Sequence, residues 1–164
     1  KDNEIDEYRL SVLAGYKRSK AEVLARMEQR KQSKPQHKKQ DDSYISLTEL
    51  ARNHSKNTPG YVIQSWLRSE NTLAFLNLWE QENNPDYREA GYIELLEKKK
   101  TASFTLTPKL WIEKTKAIGI ASKQGKGGGT FAHPMIGCEF ASWISPEFKM
   151  LLLKLSLDRE RLKE

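Results

Sequence analysis

Apolar residues are sparse over the first 42 positions and become dense from Tyr44 onward. In the first stretch Ile5, Tyr8, Val12, Tyr16, Val23, Leu24 and Met27 make a thin stripe at helical spacing. Gly15 weakens its first half, and Gln29 to Asp42 is mostly Lys, Gln and Ser around Pro35, too polar to order itself by burial. Residues 1–42 therefore read as a helical arm and linker, and residues 43–164 as the folded domain.

Within that domain three pairs, Thr58-Pro59, Thr107-Pro108 and Ser145-Pro146, place an oxygen-bearing N-cap before a proline suited to the first helical position. The first opens a short helix carrying Val62, Ile63, Trp66 and Leu67. The second opens Leu110 to Ile118, and the third a long helix with Phe148, Leu151, Leu152 and Leu155, each stripe expected to face a core. Asn71 to Glu82 is a further helix, apolar at Leu73, Phe75, Leu76, Leu78 and Trp79 and stopped at Asn83-Asn84-Pro85. Period-two alternation predicts strands at Tyr44–Leu47 and Ser103–Leu106, and Gly129–Ala132 can pair after a glycine-rich turn. The fold class is α+β, mainly helical with a small sheet.

Charge changes the picture next. Lys and Arg number 28 against 22 Asp and Glu, a net +6 with a pI near 9.3, so a polyanion is the first partner to consider. Between Lys17 and Lys39 basic residues outnumber acidic ones by nine to two, which suits an arm lying on nucleic acid. No apolar run is long enough to span a bilayer. A single cysteine, Cys138, points to a reducing, cytoplasmic compartment. The start at Lys1 and the charged helical end at Glu164 read as a piece of a longer chain.

Chemistry is thin where enzymes need it. His37, His54 and His133 lack metal-ligand spacing, so no metal or cofactor is implied. Cys138 falls in an apolar helix and His133 beside a proline reads as a cap. The carboxylates are scattered, and Trp66, Trp79, Trp111 and Trp143 all occupy apolar stripes expected to pack inward. No Gly-Lys pair is followed by Ser or Thr, which excludes a phosphate-cradling P-loop.

Two constellations suit nucleic acid instead. Residues 59–68 and 71–83, joined at Ser69-Glu70, have the lengths of a helix-turn-helix. On the second helix Glu70, Ala74, Asn77 and Gln81 share a polar face whose amides can pair with adenine, while Glu80 and Glu82 count against close phosphate contact. The stretch Ser122 to Thr130, with Lys123 and Lys126 among glycines, has the composition of a β-wing, and Lys98-Lys99-Lys100 adds cations for phosphates.

Four strings then carry a likeness in order: YISLTELA (Tyr44–Ala51), WLRSENTLAFLNLWE (Trp66–Glu80), FTLTPKLWIE (Phe104–Glu113) and AIGIASKQGKGGGTFAHPMIGCEFASWISPEF (Ala117–Phe148). Together they closely resemble the KilA-N domain, a DNA-binding module of large DNA viruses, bacteriophages and bacteria. The resemblance implies a fold akin to the fungal APSES DNA-binding domain, with a helix-turn-helix and a glycine-rich wing. It implies further that Asn71 and Thr72 begin the recognition helix and that Lys123, Lys126, Gly128, Gly129 and Thr130 occupy the wing. Residues 1–42 fall outside it.

The expected function is non-catalytic binding of double-stranded DNA in a phage-derived or bacterial regulatory protein. Lys98, Lys99, Lys100, Lys123 and Lys126 would position it on phosphates, and Asn71, Thr72, Asn77 and Gln81 would discriminate bases. The arm would pair two copies into a homodimer. The alternative is a protein-interaction or oligomerisation module of a larger protein, using residues 1–28 and the C-terminal helix. An RNA binder ranks lower, because no strand aromatics or clamp of the usual RNA modules is in place.

Overall fold

The computed structural model describes residues 43–101 and 103–161. The arm and linker, and the homodimer assigned to them, lie outside the described residues. A two-residue strand β1 (Ile45–Ser46) runs directly into α1 (Leu47–His54). After these come α2 (Pro59–Leu67), α3 (Glu70–Asn83), α4 (Glu89–Lys99) and α5 (Pro108–Thr115), then β2 (Ile120–Lys123) and β3 (Gly129–Ala132), and finally α6 (Pro134–Ile144) and α7 (Pro146–Arg161). The fold is α+β, mainly helical with one small antiparallel sheet of order β1-β3-β2. Ala132 stands opposite both Ile45 and Ile120, and Lys123 opposite Gly129.

Side-chain caps set most helix starts. Ser46 Oγ accepts from the Glu49 amide at 3.1 Å, Ser69 Oγ from Thr72, Thr107 Oγ1 from Leu110 at 3.2 Å and Ser145 Oγ from Phe148. His133 caps α6, its Nδ1 accepting from the Met135 amide at 3.2 Å. Thr58 departs from expectation: it makes no side-chain cap, and Pro59 alone marks the start of α2. The fully buried side chains Trp66, Trp111, Phe140, Leu47, Leu73, Leu76 and Ile136 centre the core.

Several expectations need correction. The strand expected at Tyr44–Leu47 shrinks to two residues, because Ser46 caps a helix that already includes Leu47. Ser103–Leu106 forms no strand. It leads Leu106 into the core and Thr107 to its cap without a pairing partner among the described residues. The helix opened by Thr107 stops at Thr115, where Lys116 turns left-handed at φ 54°. What holds the chain out of the helix there is Glu80, which is fully buried. Its carboxylate accepts from the amides of Gly119 (2.7 Å) and Ile118 (3.1 Å) and from Asn84 Nδ2 (2.8 Å). Burial pushes this carboxyl up from its ordinary value, and the donors from Ile118, Asn84 and Gly119 pull it back. Glu80 is thus a structural acceptor and takes no part in surface charge.

The C-terminal helix reverses its expected role. Leu151, Leu153, Leu155 and Leu157 of α7 are half or more exposed, Leu157 at 62%, and even Leu152 stands at 36%. Three tryptophans are buried as expected, but Trp143 is 43% exposed. No helix among the described residues is long and apolar enough to cross a membrane.

Candidate nucleic-acid interface

Strands β2 and β3 form a hairpin whose tip, Gln124–Gly127, is wholly exposed and carries Lys126, with Lys123 exposed at the end of β2 beside it. Gly125 (φ 87°) and Gly127 (φ 73°) adopt the left-handed conformation that side-chain-bearing residues avoid, and the Gly128 amide closes the turn on the Gly125 carbonyl at 2.9 Å. Just below the tip the hairpin is fastened to α1: the buried Thr130 donates its amide to Thr48 Oγ1 at 2.9 Å, and Gly129 lies against the same side chain. Lys123 Nζ lies 5.2 Å from the centre of the Phe131 ring, a cation–π contact that holds it on the hairpin face. Lys126 takes part in no hydrogen bond or ion pair among the described residues.

Helix α3 does not present the face the sequence suggests. Asn71 is exposed at its start, but Thr72 and Asn77 are buried. Asn77 Oδ1 accepts from the Tyr87 hydroxyl at 2.8 Å, and Gln81 Nε2 donates to Glu89 Oε1 at 2.9 Å. Burial, then the charges of Glu80 and Glu89, raise the Tyr87 hydroxyl far above its ordinary value, so it stays a donor. The line through Asn77 and Gln81 is polar because the chain after the helix folds back with partners for it. The side chain α3 leaves in solvent at that level is Leu78.

The lysine run ends α4 beside the end of α2. Lys98 pairs with Glu94 at 2.7 Å and Lys100 with Glu97 at 2.7 Å, and Lys99 donates to the Arg68 carbonyl. Glu94 also receives Lys114 at 2.9 Å, and bonds from Lys98 and Lys114 hold its carboxyl down at about 2. These are exposed pairs, weak enough for phosphates to replace the carboxylates.

The polar surface that sequence reasoning missed belongs to α1, α2 and the turn between them. Arg52, Asn53, His54, Lys56 and Asn57 are exposed there, followed by Gly60 and Tyr61 of α2 and Arg68 at its C-terminal cap. Arg52 pairs with Glu49, and the Arg68 guanidinium stands 5.9 Å from the Tyr61 ring centre. A usable signal was present: Ser46-x-x-Glu49 is a capping-box spacing, and it marks a helix where period-two alternation suggested a strand. Beside this surface opens a cleft of about 290 Å³, lined by His54, Asn57, Tyr61, Ser65, Trp143 and Ile144 among others. No group of three potential metal ligands occurs among the described residues.

Comparison with known proteins adds two findings. The family model of the KilA-N domain matches residues 28–159. The match takes in residues 28–42, which the sequence reading leaves outside the resemblance. The protein kilA of Escherichia phage P1 is 46% identical over 39 residues, 24% of this chain. That stretch spans only 15% of the phage protein. No solved structure matches.

Proposed function

Because the chain belongs to the KilA-N domain family, whose domains bind DNA, we propose that it binds double-stranded DNA without catalysing a reaction, as part of a phage-derived or bacterial regulatory protein. The observation that carries this reading is the exposed end of the hairpin, where Lys126 stands on a glycine turn that no part of the core uses and Lys123 ends the strand beside it. Such a tip is the wing of a winged helix-turn-helix, with Lys123 and Lys126 neutralising phosphates. The helix pair is α1–α2, since Tyr61 on α2 is open whereas Asn77, at the centre of the α3 face, is buried on Tyr87. Thr48 ties the wing to α1, so wing and helix pair act as one unit. Tyr61 and Gln64 on α2 and Arg68 just past its end face the bases, Asn71 and Lys98–Lys100 border them, and the buried Thr72 and Asn77 keep structural roles.

Anisotropy titrations of labelled duplex DNA at several salt concentrations test this. Lys123→Ala and Lys126→Ala should each weaken binding to all sequences alike and lower the salt slope by roughly one. An unchanged affinity and slope in the double variant refutes the wing assignment. One observation favours a second reading, an interaction module: the open leucines of α7. A solution mass above that of one chain, lost in Leu153→Gln/Leu157→Gln, would support it.

A further inference from the structure

We propose that the cleft between α2 and the end of α6 receives a single unstacked nucleobase, a site that adjoins the duplex-binding surface at Tyr61 and rests on the DNA-binding reading above. Two aromatic side chains line this cleft, and both stay open in a fold that buries its other tryptophans: Trp143 is 43% exposed and Tyr61 51%. Each already has a neighbour against its ring. Trp143 stacks on Phe140 with ring centres 6.3 Å apart and planes 14° from parallel, and Arg68 lies against Tyr61. A ring that already has such a neighbour loses less freedom when a base stacks on it.

The edges of the cleft suit a base more than an aliphatic group. Asn57 is exposed there, and nothing among the described residues bonds its side-chain amide, which carries the donor and acceptor that match adenine N6 and N7. His54 adds a second polar group. A volume of about 290 Å³, just below the range for drug-sized ligands, leaves room for one base. Lys56, exposed and next to Asn57 in the chain, supplies a cation for a flanking phosphate. A base inside a duplex is stacked on both faces and cannot enter, so the cleft selects a bulged base or a single strand.

Three labelled probes separate these sources: a plain duplex, the same duplex with one extrahelical adenine, and a single strand. The bulged duplex should bind the whole chain about 5- to 100-fold tighter than the plain one, the worth of one base stacked on an aromatic ring. Tighter binding of the single strand than of the plain duplex supports the cleft equally, with strand ends and loops as its source. Trp143→Ala should remove the preference and leave plain-duplex affinity unchanged, while Trp143→Phe should retain most of it. Plain-duplex binding with no preference in the parent chain overturns the cleft proposal alone, as does a preference that survives Trp143→Ala. Failure to bind any of the three probes overturns the DNA-binding reading and this one with it.

Discussion

Replacing Glu80 by alanine removes the acceptor that holds residues 116–119 away from α5. The amides of Ile118 and Gly119 then lose their partner inside the protein, while Asn84 Nδ2 keeps a second acceptor in the Lys116 carbonyl at 2.8 Å. An unsatisfied buried donor costs roughly 1–3 kcal/mol; the Gly119 amide is one, the part-buried Ile118 amide costs less, and with the space left by the side chain the total comes to about 3 kcal/mol. That is a large part of a typical domain's stability and corresponds to a melting temperature lowered by roughly 10 °C or more. Thermal and urea denaturation measure it, and hydrogen exchange should show faster exchange first at Ile118 and Gly119. The pH dependence follows from the direction of the carboxyl shift. Glu80 has a raised value when folded, so its stabilisation is full below the unfolded value and declines as pH rises through the folded one. The penalty of Glu80→Ala should therefore be greater near pH 4 than near pH 8. A variant that melts within about 2 °C of the parent, or whose penalty grows with pH, refutes the reasoning.

Three other outcomes follow from contacts described here or from the same packing. Asn77→Ala should cost about 1 kcal/mol of stability by orphaning the Tyr87 hydroxyl and leave DNA sequence preference unchanged; lost preference at unchanged melting temperature would return Asn77 to the interface. A Cβ at Gly91 would stand 2.1 Å from the Lys114 carbonyl oxygen, so Gly91→Ala should destabilise by about 2 kcal/mol or more through forced separation of α4 and α5, seen as a lower urea midpoint. Glu94, held down at about 2 by Lys98 and Lys114, contributes stability above the unfolded carboxylate value that is lost as pH falls through about 2. The melting temperatures of the parent and Glu94→Gln should accordingly differ at pH 6 and converge near pH 2.

What was legible in the chain was whatever local chemistry decides. The α2 and α3 helices could be placed because Thr58-Pro59 and Asn83-Asn84-Pro85 bracket strong apolar stripes. The α4 helix was missed because only Gly91 and Leu95 of its eleven residues are buried, too few to print a stripe. Ser103–Leu106 alternates like a strand, but a strand needs a neighbour, and sequence alternation says nothing about one. Site residues failed for the same reason in sharper form. The polarity of Asn77 is visible along the chain, whereas its partner Tyr87 arrives from beyond the end of the helix. The leucines of α7 are dense enough to suggest a core helix, yet density gives no direction, and the fold turns them outward.

The Thr48 latch sets where conformational freedom remains in the hairpin. Below it the ladder from Ile120–Lys123 to Gly129–Ala132 is paired and fastened to α1, so slack is concentrated at the exposed tip, Gln124–Gly127. Fixing a residue's backbone costs about 1–2 kcal/mol, and more at glycine, so the ordering penalty of grasping a partner falls on those four positions alone. The hairpin works as a stiff lever with a compliant fingertip: its aim is settled during folding, and only its grip is settled on contact.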